Sequence, residues 1–379
     1  MKDQFGREIT YLRLSVTDLC NLRCVYCMPE EGVQKMRHED ILSIEEIAEI
    51  VKTSSALGIK KVRITGGEPL VRRGITEICR RVSSTPGIEE TCLTTNGTLL
   101  PKFARELREA GVRRLNISLD SLDPATYSMI TRGGKSADVL RGIDAAREAG
   151  FETIKVNAVL IGGVNEGEIR SLAEMSREPG MHIRFIELMP IGGSAGWAAG
   201  RYIPGDAVLA AVGELMALGT DGVARTYALP GAGGTVGIIS PVSRHFCPEC
   251  NRIRVTSDGK LKPCLHSAEE INLRGLHGEA LAAAIGAAIW NKPCRHALDG
   301  AEADASASNG APPEVDGAEV GGAAEVGDAE VGVAADGGAE VGADGCAFAG
   351  APALKNAPNG APTRNGASRS ARNMNAIGG

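Results

Sequence analysis

Cys20, Cys24 and Cys27 stand in a C-x3-C-x2-C spacing, with Tyr26 immediately before the third cysteine and a strand-like run, Tyr11 to Thr17, just ahead of the group. Thiolates this close in sequence converge on one metal centre. Three are one short of the four that close a structural zinc site or an ordinary 4Fe-4S cluster. An iron left without a protein ligand can take an exogenous one. The same arithmetic recurs at Cys247, Cys250 and Cys264, a C-x2-C-x13-C triplet with no obvious fourth ligand. A zinc ribbon would want another C-x2-C, and the next thiol, Cys294, is distant and single. On spacing alone, zinc completed by a distant residue stays open for the first triplet, and zinc and iron-sulfur stand level for the second. Arg252 and Arg254 alternate on one face of a probable strand directly after Cys250. Cations beside a cluster with an open iron suit an anionic, coordinating substrate.

The elements that must position these groups read as repeated βα units. Gly58, Gly87, Gly111, Gly150 and Gly180 each precede an apolar residue and a strand-like run. Glycine there suits a helix C-terminus, because the residue after the last turn adopts a left-handed conformation cheaply only without a Cβ. The helices are legible too: Ser43 with Glu46 makes a capping box for a run to about Leu57, and Pro101 to Ala110 and Ser136 to Ala149 behave likewise. With Tyr11 to Thr17 this gives six strands alternating with helices over roughly 190 residues. A parallel barrel or open barrel with an outer helical layer is the expected α/β fold, an open doubly wound sheet the alternative.

Residues two apart on a strand share a face. Arg13, Ser15 and Thr17, then Arg63 and Thr65, then Asn116, Ser118 and Asp120, then Lys155 and Asn157 alternate in this way. If they point inward, the lumen is polar and basic and must hold a ligand, with several phosphates the natural match for Arg13, Arg63 and Lys155. The opposing reading has each cation reaching the barrel rim to pair with Asp or Glu. After the second strand, Gly66-Gly67-Glu68-Pro69 lets backbone approach a bound group closely.

Composition divides the chain of 379 residues. Up to about Leu298 it is mixed and globular, whereas residues 299–367 are almost wholly small and acidic, with Ala-Glu-Val recurring at 318, 324, 329 and 339. A disordered linker is expected there. The expected division is 1–190 barrel, 191–298 C-terminal region with the second cysteine triplet, 299–367 low-complexity insertion and 368–379 tail. A net charge of −6 and an aromatic content of 3% argue against a nucleic-acid binder. No secretory segment and no long apolar run is visible, so a cytoplasmic protein without a membrane span is expected. Ten cysteines are then not a disulfide framework, and Cys79, Cys92, Cys294 and Cys346 read as ordinary thiols.

The first triplet with Tyr26, followed about forty residues later by the Gly-Gly-Glu-Pro turn, resembles the radical S-adenosylmethionine (SAM) enzymes. More closely, the chain resembles the GTP 3′,8-cyclases, the molybdenum cofactor biosynthesis protein A family. That resemblance rests on Tyr11-Leu-Arg-Leu-Ser-Val-Thr-Asp-Leu-Cys-Asn, Leu93-Thr-Thr-Asn-Gly, Asn116-Ile-Ser-Leu-Asp, Arg184-Phe-Ile-Glu-Leu-Met, Phe246-Cys-x-x-Cys-Asn-Arg-Ile-Arg and the terminal Ile377-Gly-Gly. It implies a partial (β/α)6 TIM-like barrel of the radical SAM type with a C-terminal iron-sulfur region. Cys20, Cys24 and Cys27 would hold one 4Fe-4S cluster whose open iron binds SAM; Cys247, Cys250 and Cys264 would hold a second, on which GTP sits. By the same resemblance Tyr26, Gly67, Ser118 and Met189 would contact SAM. Arg13, Arg63, Thr94, Lys155, Arg252, Ile253 and Arg254 would contact GTP, and Gly378 and Gly379 would take part in catalysis.

The implied reaction is a lyase-type conversion of GTP to (8S)-3′,8-cyclo-7,8-dihydroguanosine 5′-triphosphate, begun by a deoxyadenosyl radical that removes the ribose 3′ hydrogen. It is the first step of molybdenum cofactor (molybdopterin) biosynthesis. The implied partners are a low-potential one-electron donor such as flavodoxin or ferredoxin, a downstream cyclic pyranopterin monophosphate synthase, and a second copy in a homodimer. No nucleic acid or membrane partner is expected. The rival reading is a radical SAM peptide-modifying enzyme with an auxiliary cluster, although such enzymes usually carry more cysteines than this single second triplet. The tail departs from the family's pattern at Ala376, where a larger residue is common.

Overall fold

The computed structural model describes residues 1–34, 36–191 and 195–296. The expected disordered insertion, 299–367, and the tail with Gly378 and Gly379 lie outside the described residues. In chain order the elements are β1 (Tyr11–Ser15), α1 (Ile44–Ala56), β2 (Lys61–Thr65), α2 (Ile75–Ser83), β3 (Glu90–Thr95), α3 (Leu100–Glu109), β4 (Arg114–Ser118), α4 (Pro124–Thr131), α5 (Ser136–Glu148), β5 (Ile154–Leu160), α6 (Ile169–Glu174), β6 (Met181–Glu187), α7 (Ala195–Ala199), α8 (Ala207–Val212), β7 (Met216–Asp221), β8 (Ala224–Ala228), β9 (Thr235–Ile239), β10 (Arg252–Val255), β11 (Lys260–Lys262), β12 (Ile271–Asn272) and α9 (Gly278–Trp290).

The local signals do what their chemistry dictates. Ser43 Oγ accepts from the Glu46 N–H at 3.1 Å and Glu46 accepts from the Ser43 N–H at 2.7 Å, closing the capping box that starts α1. Gly58, Gly87, Gly111, Gly150 and Gly180 all have φ between 71° and 100°; Gly58, Gly111 and Gly150 directly follow the C-caps of α1, α3 and α5, as expected, whereas Gly87 and Gly180 lie in turns two or three residues beyond the C-cap of the preceding helical segment.

Strands β1 to β6 are parallel and neighbours in sequence order, with no reversal, which is the singly wound pattern of a barrel wall. A doubly wound sheet would reverse its order at a switch point. The wall does not close. β1 pairs on its outer side with β10 and β6 with β9, both parallel, so the chain after Pro190 extends the same sheet at both edges to twelve strands. On one face Leu12, Leu14, Val62, Ile64, Leu115, Ile117, Val156 and Ile183 pack with Ile47, Val51, Ile78, Val82, Leu107 and Ile143 of the helices in one cluster. Burying each such side chain contributes about 1.5 to 3 kcal/mol, and this layer fixes which way the alternate, polar residues point.

Cys79 and Cys92 are buried free thiols. Cys294 is disulfide-bonded, so it is not the incidental thiol that its isolation in the sequence suggests. No helix among the described residues is long and apolar enough to cross a membrane.

Candidate active site

The first cysteine loop leaves the C-terminal end of β1 and is pinned from both sides. From α4 and the residue after it, Thr131 and Ile130 carbonyls accept from the Arg23 and Val25 N–H groups at 3.2 and 2.9 Å, and Arg132 donates to the Arg23 and Met28 carbonyls, each at 2.9 Å. Arg132 holds φ 52°, an uncommon conformation for a residue with a Cβ. From the position just past β3, Asn96 donates to Asn21 Oδ1 at 2.8 Å and approaches the Cys20 sulfur at 4.0 Å. Within the loop the Cys27 N–H donates to the Cys24 carbonyl at 3.1 Å, bringing those two residues onto one turn. Burial and the neighbouring Cys27 and Asp120 push the Cys24 thiol well up, while burial with Cys20 and Asp120 pushes Cys27 to about 12.

Beside the loop, the Gly66-Gly67 turn lies so close that a Cβ on Gly67 would sit 2.3 Å from the Leu19 carbonyl oxygen. The Gly67 and Glu68 N–H groups donate to the Thr17 and Leu19 carbonyls, each at 2.8 Å. The bare glycines therefore serve first to seat this turn against the chain leading into Cys20. Tyr26, Ser118 and Met189 are half-buried in the same region: Tyr26 in the loop, Ser118 at the C-terminal end of β4 and Met189 two residues past β6.

The second triplet is assembled by a hairpin. Antiparallel β10 and β11 pair Arg254 with Lys262, so Cys250, just before β10, and Cys264, just after β11, fall at one end. Cys247 joins through the short helical turn Cys247–Glu249. Burial alone would raise the Cys250 thiol, but the Arg252 and Lys292 cations outweigh it and bring it to about 6. Lys292 is buried and donates to the Arg252 and Pro263 carbonyls at 2.8 and 2.7 Å, each within two residues of a cysteine. Arg7 donates to the Cys247 and Pro293 carbonyls, both at 2.8 Å, and ties the N-terminal segment to the same loops.

Because β10 runs parallel to β1 with Tyr11 opposite Arg252, the second triplet lies at the N-terminal end of β1 and the first follows its C-terminal end. The strand between is about 13 Å long. Its inner face carries the cations. Register sets Arg254 beside Arg13 and Arg13 beside Arg63, then Thr94 beside Asn116, Asn116 beside Lys155, and Asn157 beside Arg184. Arg63 reaches the Tyr11 hydroxyl and, at 3.4 Å, Thr94. Burial and the adjacent Arg254 hold the Arg13 guanidinium well below its ordinary value; burial and Arg252 bring Arg254 to about 10. The Oδ1 atoms of Asn116 and Asn157 are buried on this face without a hydrogen-bond partner, which is the condition of a surface made to meet a polar ligand.

The polar strand residues therefore face inward, but not every sequence-stated contact joins them. Ile253 alternates away from Arg252 and Arg254 and its side chain belongs to the apolar core, leaving only its main chain for any ligand. Conversely, the structure adds Arg184, Asp221 and Lys292 to the site, and gives Glu68 and Asp120, named in the sequence only as part of a turn and of a polar strand face, partners of their own. Glu68 is fully buried, accepts from the Leu70 and Asn96 N–H groups and Thr95 Oγ1, and stands at about 7 because burial outweighs those bonds. Strand alternation marks Arg184 and Asp120; nothing local marks Asp221 or Lys292.

Comparison with known proteins matches the family described as the Radical SAM superfamily over residues 14–176 and the one described as Molybdenum Cofactor Synthesis C over residues 181–298. A GTP 3′,8-cyclase of Alkaliphilus metalliredigens is 51% identical over 303 residues, covering 79% of this chain and 95% of the relative. The chain belongs to the GTP 3′,8-cyclase family. A second GTP 3′,8-cyclase, from Pelotomaculum thermopropionicum, is 50% identical over 308 residues, covering 78% and 95% of the two chains. The crystal structure of Streptococcus suis SuiB shares the fold with a TM-score of 0.52 at 14% identity, covering 76% of this chain and 67% of that one.

Both cysteine sets fit a cluster with one open iron. Six free thiols lie in two groups of three, and within each group the sulfurs sense one another's charge.

Proposed function

We infer that this enzyme is a radical SAM GTP 3′,8-cyclase, a lyase that converts GTP to (8S)-3′,8-cyclo-7,8-dihydroguanosine 5′-triphosphate in the first step of molybdenum cofactor biosynthesis. Two 4Fe-4S clusters and SAM are its cofactors. The observation that carries this reading is the placement of the two cysteine triplets beyond opposite ends of β1, with a cationic inner face between them.

Cys20, Cys24 and Cys27 would hold the first cluster and Cys247, Cys250 and Cys264 the second. The first cluster with SAM supplies the hydrogen-abstracting oxidant. The chain's own contribution is then positioning, which can account for a large part of a barrier when reacting atoms are held in line. Arg13, Arg63, Lys155, Arg252 and Arg254 would bind the triphosphate and the guanine edge, with Thr94 and the Ile253 main chain beside them. Tyr26, Gly67, Ser118 and Met189 would hold SAM. No general base is assigned, since removal of a hydrogen atom does not require one.

Gly378 and Gly379 are proposed to enter the site from the tail, where residues without side chains fit a crowded lumen. Removing only these two should leave iron content and SAM binding intact and eliminate product. A flavodoxin- or ferredoxin-like electron donor, a downstream cyclic pyranopterin monophosphate synthase, a homodimeric state and a cytoplasmic location complete the proposal. The peptide-modifying alternative has only a shared fold to support it, through SuiB, of which one structure is bound to a precursor peptide, at 14% identity.

Anaerobic reconstitution tests the reading. About eight irons per chain with matching sulfide are expected, followed by SAM-dependent conversion of GTP. Stoichiometric zinc without sulfide would overturn it.

A further inference from the structure

The hairpin of β7 and β8 reaches the cationic face with a carboxylate. Asp221, the last residue of β7, pairs with Lys155 Nζ at 2.5 Å and with Arg184. The two cations sit on adjacent strands, β5 and β6, with side chains 6% and 13% exposed, whereas that of Asp221 is 53% exposed. All six residues of β7 are exposed, including Met216 and Leu218, so this edge strand adds little to the core. Elements of that kind open locally at low cost. Beside Arg184 in the register is Asn157, whose buried Oδ1 has no hydrogen-bond partner.

We propose that Asp221 is an autoinhibitory latch: in the substrate-free enzyme its carboxylate occupies the two cations that receive the substrate's phosphoryl oxygens, and a polyanion must displace it to bind. The proposal rests on the nucleotide reading above. Two nearly buried cations side by side are costly without a counter-charge. One carboxylate brings a single negative charge and two oxygens to Lys155 and Arg184. A triphosphate brings more of both and makes charge-assisted bonds to the same groups, so it wins the exchange. A neutral nucleoside does not compete for these cations at all. The closed latch therefore lowers apparent affinity for every phosphate-bearing ligand by the same factor, the fraction of time it is open, and leaves a neutral nucleoside untouched.

Asp221→Asn keeps the shape and removes the charge; Asp221→Ser, at the same half-exposed position, is a second variant. Equilibrium binding to the anaerobically reconstituted full chain is measured with GTP, inorganic tripolyphosphate and guanosine. Both variants should bind GTP and tripolyphosphate about three- to tenfold more tightly than the parent, with guanosine unchanged. Unchanged or weaker GTP and tripolyphosphate binding overturns the latch, and so does an equal gain for guanosine. A gain for tripolyphosphate where GTP itself fails to bind would instead sustain the latch and refute the choice of nucleotide.

Discussion

The Tyr26 hydroxyl donates to Asp120 Oδ2 at 2.7 Å, joining the first cysteine loop to the chain just past the end of β4. Asp120 also accepts from the Val159 N–H through Oδ1 at 2.8 Å, and its main-chain carbonyl accepts from Asn165 at 2.7 Å, so one buried residue ties the loop to β5. Burial raises the Asp120 carboxyl to about 6 despite the bonds from Val159 and Tyr26.

Tyr26→Phe removes one bond from a buried carboxyl and should cost about 1 to 3 kcal/mol of stability. Denaturant titration of the cluster-free chain reads this directly. A loss below about 0.5 kcal/mol would mean the bond is not maintained in solution.

Glu68 gives a pH signature with a definite sign. Its folded value of about 7 lies above the ordinary carboxyl value of 4.5. Between those values the folded state holds a proton that the unfolded state has lost, so stability falls as pH rises from 4.5 to 7, by up to about 3 kcal/mol. Glu68→Gln cannot titrate. Its stability relative to the parent should therefore improve from pH 5 to about pH 7 and level off above it; a constant difference from pH 5 to pH 7 would contradict the assignment.

Lys155 predicts the pH dependence of nucleotide affinity. Burial, then Arg184, lower its ammonium to about 8, with Asp221 acting in the opposite sense. Phosphate binding favours the charged form, so GTP affinity should be full below pH 7 and fall above 8 by up to about tenfold per pH unit. Lys155→Arg, whose guanidinium stays charged, should flatten that fall. An equally steep profile in the variant would assign the titration elsewhere.

The parts of this site that were legible in the sequence are those whose chemistry is local. Three cysteines within eight residues, a glycine after each helix and polar residues two apart on a strand all follow from spacing or backbone sterics, and the structure places Arg13, Arg63, Asn116 and Lys155 on one face as that spacing required. Ile253 shows the limit of reading a motif whole, since alternation from Arg252 and Arg254 already sends its side chain to the core. Asp221 and Lys292 were illegible for another reason. Their partners, Lys155 and the Arg252 and Pro263 carbonyls, lie tens of residues away and meet them only once β7 to β12 have joined the sheet at its two edges. Short strands such as β11 and β12 carry too little pattern to announce that extension.

The most direct test of the central claim uses GTP deuterated at the ribose 3′ position with the reconstituted enzyme, SAM and a low-potential reductant. Cyclisation between a substrate held on the cationic face and an oxidant generated beyond the C-terminal end of β1 predicts deuterium in the deoxyadenosine formed, in step with appearance of the 3′,8-cyclo nucleotide. Deoxyadenosine formed without label, with GTP recovered unchanged, would contradict it.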